Sequence, residues 1–266
     1  MERAIPILFD VSLIVAALCA VGAVTIVGRS RLHELRSELK PRLREVTPYL
    51  VVLGVLLTLN SAVRDRAQQI SLIFGVRITD NIQAIEGNFV AVVQSFETTF
   101  LTGYFTWVYI YGYVFLLVFP LLAYVALSER ETLKKLLVAY TLNYLLGLVL
   151  YTIFYAYGPR NTDPVLFANL LYDTGRQYQF LTGSVNDPTN VFPSLHTSLS
   201  ATAAIFAYKT REEYPIWLAV ATVLAVSVII STMYLGIHWA TDVVAGIVLA
   251  GTCVYLADRY IDSQAN

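Results

Sequence analysis

Five polar side chains stand out in an otherwise apolar chain: Arg160, Ser194, His196, His238 and Asp242. His196 lies in Phe192-Pro193-Ser194-Leu195-His196-Thr197-Ser198, and His238 in Tyr234-Leu235-Gly236-Ile237-His238-Trp239-Ala240-Thr241-Asp242. Asp242 is the only acid between Glu213 and Asp258. A carboxylate in so apolar a stretch is costly to bury unless a partner satisfies it. His238 comes four residues earlier, so on a helix the two share a face. A carboxylate that accepts the proton of one ring nitrogen sets the tautomer and leaves the other nitrogen as a lone-pair nucleophile. Arg160, in Tyr157-Gly158-Pro159-Arg160, offers a planar fork for phosphate oxygens. Ser194 and the backbone amides at a helix start can donate to the same oxyanion. With one histidine attacking phosphorus and the other protonating the leaving oxygen, the set suits phosphoryl transfer without a metal or other cofactor. His196, His238 and Asp242 also fit a two-histidine, one-carboxylate metal site, but Arg160 would then sit in a repulsive position beside a cation. His33 lies among alternating charges and reads as an exposed, solvated side chain.

The elements that must position these residues are membrane helices. Of 266 residues, 57% are hydrophobic and only 14% charged, and mean hydropathy is +0.62. That apolar surplus is too large for one water-soluble core and must face lipid. It excludes a disordered chain, a nucleic-acid-binding domain and a disulfide-stapled secreted module. A net charge of −1 argues against a polyanionic partner. Cys19 and Cys253 each lie in an apolar run and read as small buried hydrophobes. A transmembrane helix needs about 17–25 largely apolar residues. Seven stretches qualify: Val11–Gly28, Thr47–Val63, Gly103–Leu127, Leu136–Tyr157, Val191–Tyr208, Tyr214–Tyr234 and Trp239–Ala257. The expected fold is therefore all-α, a polytopic membrane helix bundle of about seven transmembrane helices in a single domain, 1–266. The first stretch reads as a retained span and not a cleaved leader, because its start is nearly neutral (Glu2, Arg3) and Asp10 interrupts it.

Sidedness follows from lysine and arginine in short connections. Arg29, Arg31, Arg36, Lys40, Arg42 and Arg44 are expected in a loop after the first span, with Arg130, Lys134 and Lys135 after the third and Lys209 and Arg211 after the fifth. All fall on one side, which puts the N-terminus outside and the C-terminus in the cytoplasm. Arg160, His196 and His238 then emerge together on the outer face. Within Ile82–Phe100, Ile82, Ile85, Phe89, Val92, Phe96 and Phe100 recur at spacings of three and four. That pattern predicts one amphipathic helix lying on the outer leaflet, or else packed over the bundle.

At the residues of the candidate site the sequence resembles the type 2 phosphatidic acid phosphatase superfamily, whose signatures are K-x6-R-P, P-S-G-H and S-R-x5-H-x3-D. Pro193-Ser194-Leu195-His196 matches the second, with Leu195 in place of glycine. Ser231, His238 and Asp242 match the third, with Thr232 in place of arginine. Arg160 stands for the first-signature arginine, preceded by Pro159, and Ile153 occupies the lysine position. The likeness covers roughly residues 136–257. It implies His238 as the nucleophile of a phosphohistidine intermediate, Asp242 as its orienting partner, His196 as general acid and then base, and Arg160 and Ser194 as phosphate ligands. It also implies a six-helix phosphatase core preceded here by one extra N-terminal helix, with the catalytic core at about residues 103–258. The substituted positions resemble the branch containing inositol phosphorylceramide synthases, whose members act on lipid phosphates or lipid phosphodiesters. Arg176, Arg77 and Arg64 are candidates to replace the missing cations. The expected partners are a lipid phosphate substrate and membrane lipids. A lipid-binding scaffold or transporter that keeps the fold without turnover is the non-enzyme alternative.

Overall fold

The computed structural model describes residues 5–173 and 189–265. Helix α1 (Ile5–Gly22) runs through a π-helical turn (Ala23–Val27) to Gly28, whose φ of +86° redirects the chain into α2 (Arg29–Phe74). Two short helices, α3 (Thr79–Glu86) and α4 (Phe89–Gln94), lead to α5 (Thr99–Trp107). A second π-helical turn joins α5 to α6 (Tyr113–Val125), and α7 (Glu131–Ile153) follows. Short α8 (Pro159–Thr162) and α9 (Leu170–Asp173) precede α10 (Leu195–Lys209), α11 (Pro215–Tyr234) and α12 (Ala240–Ala265).

Six helical stretches among the described residues are long and apolar enough to cross a membrane: Leu8–Val27, Arg29–Val63, Thr99–Val125, Glu131–Ile153, Pro215–Tyr234 and Ala240–Gln264. The molecule is an all-α polytopic helix bundle. The expected span Val191–Tyr208 is α10, which starts only at Leu195 and has 15 residues. At 1.5 Å per residue it is about 22 Å long, short of a hydrocarbon layer of about 30 Å. It packs against α6, α7, α11 and α12. Small or hydroxyl side chains, Ser198, Ser200, Thr202, Ala203 and Ala207, are buried along it. Such residues let helices approach closely in lipid, provided each polar group finds a partner. Asn143 of α7 supplies one: it hydrogen-bonds Ser198 and donates to Thr202 Oγ1 at 3.2 Å.

Two sequence expectations are corrected. The cationic segment from Arg29 to Arg44 is not a loop but the start of α2, a single helix of 46 residues. Its leucines, glutamates and basic residues are good helix formers, and Glu38 pairs with Arg42 one turn on at 2.7 Å. Arg42 also donates to the carbonyls of Val125 and Leu127 at the end of α6, at 3.0 and 2.6 Å. The segment Ile82–Phe100, expected as one helix, is broken. Gly87, at φ +54°, ends α3, and Thr98 caps α5 by accepting from the Leu101 amide at 3.1 Å. The apolar stripe is split accordingly. Ile82 is buried, whereas Ile85, Phe96 and Phe100 are 77%, 68% and 80% exposed.

The main core is shared by α1, α2, α6, α7, α10, α11 and α12. Trp217 is fully buried there, its ring 4.7 Å from that of Phe119 and its Nε1 donating to Tyr124 Oη at 3.1 Å. Cys19 and Cys253 are buried free thiols and His33 is exposed, as expected. One end of the bundle gathers ion pairs: Arg31–Glu213, Lys209–Asp258 and Lys135–Asp262, the last at 2.7 Å. At the other end, Val76–Arg77 after α2 pairs in parallel with Phe154–Tyr155 after α7. Tyr157 N then donates to Thr79 Oγ1 at 3.0 Å. These short contacts tie α3 and the Arg160 loop together.

Candidate active site

The five candidate residues all lie at that second end. Pro193 and Ser194 set the start of α10: Ser194 Oγ accepts from the Thr197 amide at 3.3 Å, an N-cap that puts His196 in the first turn. His238 sits in the turn between α11 and α12, and Asp242 in the first turn of α12. The two motifs are joined directly, because Ser194 N donates to the Asp242 carbonyl at 3.0 Å. Arg160 is in α8, and its amide donates to the Gly236 carbonyl at 3.1 Å.

Asp242 is fully buried. Its Oδ2 accepts from the Trp239 amide at 2.8 Å and lies 3.4 Å from His238 Nδ1. The pair is within ion-pair range but not hydrogen-bonded, and Nδ1 has no other hydrogen-bond partner among the described residues. Catalytic contacts are often this long without substrate and tighten when the complex forms. Burial pushes the His238 imidazole down to about 3, against the Val191 carbonyl and together with the Arg160 charge. Burial thus favours the form of the ring that has a lone pair for attack. His196 faces it across 6.4 Å between ring centroids. The His196 ring stacks on Tyr109 at 4.6 Å and leans on Tyr113 at 4.5 Å, which limits its rotation.

His196, His238 and Arg160 line one cavity of about 180 Å³, shared with Asn60, Asn161, Asn190, Tyr113, Tyr144 and Tyr151. Among its described lining residues Arg160 is the one permanently charged side chain. Its guanidinium lies 4.7 Å over the Tyr172 ring and reaches Asn169 Oδ1 and Tyr172 Oη, both at 3.4 Å. Such long contacts leave the fork free to turn toward an anion. Ser194 is buried as a helix cap and does not line the cavity. Of the cations proposed to fill the missing signature positions, Arg77 pairs with Asp80 at 3.1 Å outside the cavity. Arg176 and the side chain of Arg64 lie outside the described residues. Thr232 is buried, with its hydroxyl donating to the Ile229 carbonyl at 2.8 Å, and Ile153 is largely exposed. Among the described residues no three His, Cys, Asp or Glu side chains are placed to hold a metal ion.

The turn carrying His238 is braced from several sides by residues the motifs do not include. Gln94 Nε2 donates to the Tyr234 carbonyl at 3.0 Å and to the Ala168 carbonyl at 2.8 Å. Trp239 Nε1 donates to the Tyr157 carbonyl at 2.8 Å. Glu86 accepts from the Ala240 and Thr241 amides. Asn60, on the cavity wall, comes from α2. The only sequence signals for these residues were a glutamate and a glutamine on an amphipathic stretch, and an amide in an apolar run.

Gly236 makes the turn possible. Its φ is +74°, and a Cβ there would come within 2.6 Å of the Ala168 carbonyl oxygen. Gly236→Ala is expected to destabilise the fold by about 1–3 kcal/mol, read as a lower thermal midpoint in detergent. An unchanged midpoint would contradict so close an approach.

The geometry can be set beside known proteins. The PAP2 superfamily pattern matches residues 83–256. The crystal structure of Aquifex aeolicus LpxE is similar at 23% identity with a TM-score of 0.46, the match covering 65% of this chain and 93% of that one. No curated protein matches. Every wall of the cavity except that of α2 comes from within the matched range, and its extent shows that the chain belongs to the PAP2 superfamily.

Proposed function

We propose that the protein is a membrane-integral, metal-independent phosphatase or phosphotransferase acting on a lipid-linked phosphate. The observation that carries this reading is the convergence of His238, His196 and Arg160 on one cavity, with Asp242 behind His238. His238 Nε2 attacks phosphorus while the bond from phosphorus to the lipid oxygen breaks. His196 gives its proton to that oxygen. Water or a hydroxyl acceptor then attacks the phosphohistidine, its proton passing to His196, and His238 is regenerated. Arg160 neutralises phosphate charge, aided by the first turn of α10 that Ser194 caps.

Arg160 is the one arginine among the described lining residues, and so low a positive charge favours a singly charged phosphodiester over a dianionic monoester. This supports transfer of a phosphorylated head group, as in the branch resembling inositol phosphorylceramide synthases. The distribution of lysine and arginine supports an outer-face site, with the N-terminus outside and the C-terminus cytoplasmic. The exposed side chains of Ile85, Phe96 and Phe100 suit residence in the head-group layer beside the cavity, where a lipid arrives laterally.

The test is purified protein given a radiolabelled lipid phosphate or lipid phosphodiester, with and without a polyol such as inositol. Release of free phosphate from a lipid phosphate, or of the phosphorylated head group from a lipid phosphodiester, as the sole product identifies a hydrolase, and label transferred to a hydroxyl acceptor a transferase. Lipid binding without any product would support the scaffold or transporter, and inhibition by chelators would argue for a metal.

A further inference from the structure

We propose that Glu86 is a positioning residue for His238: its carboxylate holds the first turn of α12 and, through it, the Asp242–His238 pair. The proposal rests on the reading of His238 as nucleophile. The first amides of a helix have no carbonyl partner within the helix. In α12 these amides are taken by carboxylates. Trp239 N donates to Asp242 Oδ2 at 2.8 Å, Ala240 N donates to Glu86 Oε2 at 2.9 Å, and Thr241 N donates to Glu86 Oε1. The two oxygens of Glu86 thus bridge adjacent amides from a position more than 150 residues away in sequence.

Glu86 can act as a fixed brace because α3 is itself anchored. Ile82 is buried in one cluster with Trp239. Thr79 Oγ1 accepts from the Tyr157 amide at 3.0 Å, and Gly87 ends the helix at φ +54° with its amide on the Gln83 carbonyl at 2.9 Å. Glu86 does not line the cavity, so it does not touch the reacting phosphate. Its negative charge occupies the positive end of α12. That end is therefore closed to the substrate, and the phosphate is left to Arg160 and the start of α10. If the brace is lost, the turn from Trp239 to Thr241 is free to shift. Nδ1 of His238 then loses register with Asp242, and Nε2 loses its line of attack. Displacements of about 1 Å at a reacting group can cost up to about 100-fold in rate.

The full chain in detergent is compared as wild type, Glu86→Ala and Glu86→Gln, reading lipid phosphate turnover and amide hydrogen exchange over residues 239–243. Glu86→Ala is expected to lower kcat about 10-fold with KM within about 2-fold, and to speed exchange in that segment while α11 is unaffected. Glu86→Gln keeps one carbonyl oxygen for one amide and is expected to stay within about 3-fold of wild type. Unchanged kcat or unchanged exchange in Glu86→Ala would overturn the proposal, and so would a raised KM at constant kcat. If the wild type turns over no lipid phosphate, the functional reading fails, and exchange alone decides whether Glu86 holds the turn.

Discussion

His238→Ala abolishes turnover, with kcat reduced on the order of 1,000-fold or more, because it removes the group that forms the bond to phosphorus. The measurement is release of product from radiolabelled lipid phosphate, beside a trapping experiment. Wild-type protein quenched in alkali during turnover carries label that acid removes, and the label maps to His238. The variant carries none. The imidazole lies in a cavity of about 180 Å³, so the truncation enlarges a polar space that water can fill and the fold persists. Turnover by His238→Ala comparable to wild type would end the phosphohistidine mechanism while leaving family membership untouched.

Asp242→Asn is the second large effect, about 100- to 10,000-fold in kcat, by analogy with the loss when the carboxylate behind a catalytic histidine becomes an amide. Asparagine has the same shape and still offers an oxygen to the Trp239 amide, now held at 2.8 Å. The carbonyl of residue 242 still accepts from Ser194 N. Structure and thermal midpoint should therefore change little. What disappears is the carboxylate 3.4 Å from Nδ1, the group that can take up the positive charge of the ring as the phosphohistidine forms. A kcat fall with KM nearly constant is the expected pattern. Full activity in this variant would show that Asp242 serves packing alone.

Much of the architecture was legible because lipid imposes a simple rule: apolar runs long enough to span become helices. Its failures are instructive. The arginine-rich segment after α1 reads as a loop because clustered charge marks contact with water. A helix can nonetheless continue past the lipid boundary, and α2 does so with Glu38–Arg42 on its surface. The segment Ile82–Phe100 has the periodicity of one helix, yet Gly87 and Thr98 divide it. Periodicity reports which face is apolar, not whether the backbone is continuous. The cavity's neutral lining was hidden for a different reason: Asn60, Asn161 and Asn190 lie on separate elements, and no local pattern links them.

Sequence alone determined the membrane class and singled out His238, Asp242, Arg160 and His196 as one candidate set. These follow from composition, residue spacing and motif order, all of them local properties. The expected shared helix face does not form, because His238 lies in the turn before α12 and only Asp242 is in the helix. Tertiary structure decided what those residues can do together. It put His196 and His238 at 6.4 Å across one cavity, turned Ser194 inward as a cap and left Arg160 as the charged group on the described wall. It also brought Glu86 and Gln94 onto the turn that carries His238. Such contacts depend on how helices far apart in sequence pack, and packing is settled by the whole bundle, not by any one stretch of it.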